Sequence, residues 1–204
     1  MKFIRTIYDW VLSWADKPSG PKALGLISFC EASFFPIPPD VLLIPLALGK
    51  RKKAFTFSLI CSVSSVMGAS FGYFIGNFLW WSDTNTFSTF ANLFFDYIPG
   101  FTNDSFQRIK DLYEHYNFMI VFTAGFTPIP FKLFTISAGA FNINFFLFII
   151  AGAVSRSARF FLVGYLIKKY GEPIQYFIDK YFNLLAILFT LLLFGGFFII
   201  KIFL

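Results

Sequence analysis

The chain has 204 residues, 57% of them apolar and 14% charged, with 33 Phe and a mean hydropathy of +0.68; soluble domains run about 45–50% apolar and about 25% charged. A globule of this size has too little interior to hide that much apolar surface, which excludes a soluble enzyme. The net charge of +6 does not mark a nucleic-acid binder, because apolar stretches of 20 residues and more separate the basic clusters; the composition is that of an all-α polytopic membrane protein, a single membrane domain over 1–204.

The first 17 residues lack the apolar core and small-residue cleavage site of a secretory signal. Phe3, Ile7, Trp10, Val11 and Trp14 recur at helical spacing, with Lys2, Arg5, Asp9, Ser13 and Asp16 on other faces. This predicts an amphipathic helix over 1–17 lying in the membrane interface. An apolar stretch over 23–49 carries Glu31 and Asp40 and is broken by Pro36, Pro38, Pro39 and Pro45. The 29 residues of 54–82 hold no charge, enough helix to span a core of ~30 Å with length to spare. The interval 83–116 is polar and reads as an extracytoplasmic loop, its later part a helix capped by Thr102 or Asn103 with Phe106, Ile109, Tyr113 and Tyr116 on one face. A second broken apolar stretch, 117–142, has Pro128, Pro130 and Lys132 at its centre. A helix over 144–167 contains Arg156 and Arg159, and 181–200 is a final uncharged span. Cys30 and Cys61 sit in apolar segments as packing residues, and His115 is the only histidine, so neither a metal site nor a cofactor is expected.

A repeat underlies this order at an offset of 92 residues: 34–40 (FFPIPPD) matches 126–132 (FTPIPFK), and Gly72-Tyr73 matches Gly164-Tyr165. The expected unit is a broken segment followed by a spanning helix, repeat 1 over 23–82 and repeat 2 over 117–167. The arms 23–35 and 40–49 are roughly 20 Å and 15 Å long as helices, so neither crosses alone. Basic residues flank the segment on both sides, Lys17 and Lys22 before it and 50–53 (KRKK) after it. A re-entrant hairpin keeps both clusters in the cytoplasm, as the positive-inside rule demands. Carried along the chain, this topology puts 11 Lys and Arg inside and 2, Arg108 and Lys110, in the outer loop. The N-terminus is then cytoplasmic, the C-terminus extracytoplasmic, and the repeats are inverted, an arrangement found in transporters with binding at the midplane.

Five ionisable residues lie at membrane depth: Glu31, Asp40, Lys132, Arg156 and Arg159. Each costs on the order of 2.5–3.5 kcal/mol at the centre of a lipid-facing helix. Mutual neutralisation of two acids by three bases leaves about one positive charge for an anionic ligand, and the planar fork of Arg suits phosphate. Glu31 and Asp40, desolvated beside cations, are candidates for coupled protonation. Turns at Pro36, Pro38, Pro39, Pro128 and Pro130 position these groups. Gly68, Gly72 and Gly76 form a close-packing helix face, within one subunit or between two in a homo-oligomer. No nucleophile–base pair is visible, so no enzyme is expected.

Glu31 before a broken P-x-P segment (34–40), the G-x-x-x-G-Y helix, the second broken segment leading into 137–139 (SAG) and the arginines of the next helix together resemble the DedA membrane protein family, also called the SNARE-associated or VTT-domain family. The wording is most similar to its YqaA-like bacterial branch, and the resemblance covers about 25–171. It departs at Ala124-Gly125 and Lys132, where many members carry Arg. The resemblance implies a multi-pass inner-membrane protein with two opposed re-entrant hairpins, serving envelope homeostasis by moving lipids, polyprenyl-phosphate carriers among them, with proton-motive-force coupling. The family's essential acids correspond to Glu31 and Asp40 and its essential arginines to Arg156 and Arg159. The expected function is therefore a transporter or flippase of an anionic lipid; the alternatives are a passive phospholipid scramblase and a non-transporting membrane organiser.

Overall fold

The computed structural model describes residues 10, 13–14, 17–35, 37–82, 86–97, 102–126, 130–171 and 173, and these are overwhelmingly helical, with no strand beyond an isolated Trp81–Phe87 bridge. The elements are α1 (Gly20–Ser33), α2 (Asp40–Gly49), a 3-10 turn (Arg51–Lys53), α3 (Ala54–Trp80), α4 (Thr89–Tyr97), α5 (Asn103–His115), α6 (Asn117–Phe126), α7 (Phe131–Ala140) and α8 (Phe145–Tyr170). Most of the helix expected over 1–17, the span expected over 181–200, and Pro36 and Pro128 lie outside the described residues.

Two stretches, Arg51–Trp80 of 30 residues and Phe145–Tyr170 of 26, are long and apolar enough to cross a membrane. Along α3 the large side chains Phe55, Leu59, Val63, Met67, Phe71, Phe74 and Phe78 are exposed, at spacings of three and four residues over the full helix. The opposite face is buried and small: Ser58, Ser62, Ser65, Ala69, Gly72 and Gly76. In water such a helix would be inside out; in a bilayer the large apolar side faces lipid and small residues let backbones approach. The approach is close. A Cβ on Gly68 would meet the Phe29 carbonyl oxygen of α1 at 2.1 Å, and one on Gly76 would meet the Ile136 carbonyl oxygen of α7 at 1.9 Å. The glycine face is thus used within the chain, on both of its flanks.

The contacts also fix directions. Ser58 Oγ donates to Phe160 O at 2.8 Å, Arg156 Nε to Ser65 Oγ at 2.7 Å, and Tyr73 lies 5.6 Å from Phe148, so α3 and α8 are antiparallel. Ser28 Oγ donates to Cys61 O and Ser33 Oγ to Gly68 O, so α1 runs in the same direction as α3. Gly20 packs on Leu46, which means that α2 folds back along α1. In the second half, Val121 is near Gly152 and Gly125 meets Ser155, so α6 likewise runs with α8. The ends of α1, α2 and α3 and the starts of α2 and α3 recur in α6, α7 and α8 within two residues of the 92-residue offset.

Between the halves, the Thr102 hydroxyl caps α5 by accepting from Ser105 N at 3.2 Å, the signal read from sequence. Phe106 and Tyr113 are buried as expected of that face, but Ile109 and Tyr116 are 43% and 52% exposed. Tyr113 donates from its hydroxyl to Phe134 O at 3.0 Å, and burial pushes this phenol above its ordinary pKa range, keeping it a neutral donor. At its far end α8 stops at Gly171, whose φ of +65° is the left-handed conformation that glycine adopts without strain.

Candidate functional site

The site forms where the C-terminal end of α1 meets the middle of the two long helices. Ser33, the last residue of α1, bonds to Gly68, 14 residues past Ala54 and 12 short of Trp80. A helix that ends there leaves carbonyls unpaired in an apolar setting, which is tolerated only if they are satisfied locally. Two of them are: Phe34 N and Phe35 N donate to Cys30 O at 2.7 Å and Thr135 Oγ1 of α7 donates to Ala32 O at 2.8 Å, while Ser33 Oγ adds a bond to Phe29 O at 2.9 Å. The Lys132 ammonium, also from α7, donates to Phe35 O at 3.2 Å. The start of the second broken segment's latter arm is therefore bonded to the turn of the first.

Arg156 is the innermost charge, with a relative exposure of 2%. Its Nη2 donates to Glu31 Oε2 at 2.5 Å and its Nε to Ser65 Oγ at 2.7 Å, while the guanidinium carbon lies 4.7 Å from the Phe160 ring centre and 5.1 Å from that of Phe131. A buried ion pair repays its desolvation only when further hydrogen bonds and packing complete it. Here the hydroxyl and two aromatic rings do so. One helical turn on, Arg159 Nη2 donates to Asp40 Oδ2. That pair is more open, with 17% of each side chain accessible against 2% and 9% for Arg156 and Glu31. Asp40 is the first residue of α2, where the partial positive charge of a helix N-terminus favours a carboxylate. Its second oxygen, Oδ1, is buried and accepts no hydrogen bond among the described residues.

All five charged residues singled out in the sequence are thus drawn into this region by four helices. They form two ion pairs, Glu31–Arg156 and Asp40–Arg159, and Lys132 makes no ion pair among the described residues. At formal charges the group carries one positive charge in excess. Pro39 precedes α2 and Pro130 precedes α7, each ahead of a charged side chain in the first turn. Sequence reasoning missed Ser65, Thr135 and the two phenylalanines. Ser65 was within reach, because it belongs to the run of small residues at spacings of three and four that also contains the glycines.

No family model matches the chain, and no solved structure matches it. Two curated relatives do. An uncharacterized protein of Haemophilus influenzae is 36% identical over 177 residues, covering 84% of this chain and 84% of the relative. The uncharacterized HI0703 homolog of Histophilus somni is 33% identical over 171 residues, covering 81% of this chain and 82% of its own length. Both alignments take in most of the chain, and identity at this level over that length puts it in one family with them. The chain belongs to the family of the Haemophilus influenzae and Histophilus somni proteins.

Proposed function

We propose that this protein is a DedA-like transporter or flippase that moves an anionic lipid, a phospholipid or a polyprenyl-phosphate carrier, across the cell membrane, with proton coupling through its buried acids. The observation that carries the reading is the excess positive charge of the five-residue cluster, held midway along two helices long enough to cross the membrane. Arg156 lies 11 residues from Phe145 and 14 from Tyr170, roughly 16 Å and 21 Å from the helix ends. Charges at that depth are costly even when paired, and where they occur they mark ion, proton or substrate pathways. The half-open groups Arg159, Asp40 and Lys132 receive the phosphate. Arg156 and Glu31 stand behind them. Opening of the Asp40 contact releases Arg159 for the anion, and its closing restores the pair.

The proposed topology is a pair of re-entrant hairpins, α1–α2 from the cytoplasm and α6–α7 from outside, in inverted repeats. In its support, α1 runs parallel to α3 while α2 turns back between them in sequence, which a single kinked span would not do. The matching element spacing of the two halves and the charge asymmetry, 11 basic residues assigned inside against 3 outside (Arg108, Lys110 and Lys201), point the same way. The N-terminus is then cytoplasmic, and a last span over 181–200 leaves the C-terminus outside.

Reconstitution into liposomes with fluorescent anionic and zwitterionic lipids, with and without a pH gradient, tests the function. Gradient-dependent movement of the anionic lipid is expected. Equal, gradient-independent movement of both lipids would identify a passive scramblase, and no movement above empty liposomes a membrane organiser. Topology is tested separately: cysteines at Ser88 and Asn103 should react with an impermeant thiol reagent from outside, and one at Ser19 should not.

A further inference from the structure

The segment between the two halves contains more apolar surface than its contacts with the protein use. Around α5, Phe106 and Tyr113 point into the fold, whereas Ile109, Leu112 and Tyr116 form an adjoining strip at 43%, 45% and 52% exposure. At 100° per residue these five side chains lie in a sector of about 120°, which they share with Ser105, and Asn103, Asp104, Gln107, Arg108, Lys110, Asp111, Glu114 and His115 occupy the remainder. Half of an amphipathic face is buried in protein. The other half is uncovered among the described residues.

The depth of this strip is set by a separate contact. Trp80 is the last residue of α3, and its ring, buried in protein at 8% exposure, stacks on Phe106 at 5.5 Å with planes 8° apart. Trp81 follows, its indole N–H donating to Ala140 O at 2.9 Å. At 27 residues, α3 is about 40 Å long and reaches from one headgroup region to the other, which puts its last residue at the boundary. A helix clamped to Trp80 by Phe106, and to α7 by the Tyr113–Phe134 hydrogen bond, is therefore held at headgroup level instead of standing free in water. The strip also continues past Tyr116 into the exposed Phe118 and Met119 of α6.

We infer that α5 is an interfacial helix, which lies in the outer boundary of the bilayer with Ile109, Leu112 and Tyr116 against acyl chains and its charged face toward water. The partner is the lipid surface itself. The inference rests on the two spanning helices, and it stands whether or not the protein transports lipid. The interval 83–116, which sequence alone makes an aqueous loop, becomes in part a membrane-resting platform next to the second broken segment.

The test uses the full chain with Cys30→Ala and Cys61→Ala as background, and single cysteines at Ile109, Leu112, Gln107 and Asp111. All four sites are exposed, so substitution does not disturb packing. Each is labelled with bimane and reconstituted into phosphatidylcholine–phosphatidylglycerol vesicles carrying shallow nitroxide lipids. Labels at positions 109 and 112 should be quenched about threefold or more beyond those at 107 and 111, as expected for an apolar face sunk ~5–10 Å into the boundary. Equal quenching at all four positions overturns the inference. So does weak quenching at 109 and 112 together with disulfide cross-linking between copies through position 109, which would make a second copy the occupant.

Discussion

The two ion pairs are made of the same groups, one carboxylate and one guanidinium each, contributed by α1 or α2 on one side and α8 on the other. Their settings differ. Arg156 and Glu31 are sealed at 2% and 9% side-chain exposure, with a serine and two phenylalanine rings completing the guanidinium's shell. Arg159 and Asp40 are 17% exposed, and one carboxylate oxygen accepts no hydrogen bond among the described residues. The difference teaches that position, not residue type, divides the labour. A pair that is saturated and shut off holds helices in register, because any exchange of partners would strand a charge in a dry interior. A pair with an unsatisfied oxygen and an open side can trade partners at little cost.

Breaking the inner pair should have the largest effect. Glu31→Ala leaves the Arg156 guanidinium without its counter-ion and should cost about 3–5 kcal/mol, read as lost folded protein in a denaturant titration. Replacing both partners, Glu31→Leu with Arg156→Met, should restore most of that stability; no recovery would mean that the pair is not what holds these helices. Ser65→Ala removes the hydrogen bond to Arg156 Nε and should cost about 1.5–3 kcal/mol, the range for bonds to charged groups. A Ser65→Ala protein as stable as the parent would show the third partner to be dispensable. The outer pair should be the mildest for folding. Asp40→Asn should cost less than Glu31→Ala, because the amide keeps an oxygen that accepts from Arg159 and the pair is less sealed than the inner one, while ending the response of lipid movement to a pH gradient.

Much of this was legible in the sequence because membranes impose one-dimensional rules. The charge-free run after Lys53, the Thr102 cap and the arginines inside an apolar helix are local signals, and α3, α5 and α8 appear close to where those signals put them. The charged residues at membrane depth were recognisable by cost alone. Which acid meets which arginine was not, since Glu31 and Arg156 are 125 residues apart and their pairing depends on α1 running parallel to α3. The short helix α4 was legible too, since Phe90, Leu93, Phe94 and Tyr97 recur at i, i+3, i+4 and i+7, but the surrounding polar interval 83–116 masks so brief a run. On α5, Ile109 and Tyr116 fall on the apolar face, as the spacing says, yet the protein covers only half of that face. Periodicity reports an apolar direction and cannot say whether protein or lipid fills it.

The central claim is that the open half of the cluster handles an anionic headgroup, and one measurement reaches it directly. Flux of a fluorescent anionic lipid per folded molecule should be compared in liposomes for the parent, Arg159→Ala and Arg159→Lys, with membrane abundance and folding measured on the same preparations. Counting flux per folded molecule separates lost transport from any stability lost when Arg159→Ala leaves the Asp40 carboxylate without its counter-ion. Arg159→Ala should lose flux by about tenfold or more, and Arg159→Lys should recover little of it, because a point charge does not replace a bidentate fork. Parental flux per folded molecule in Arg159→Ala would contradict the account.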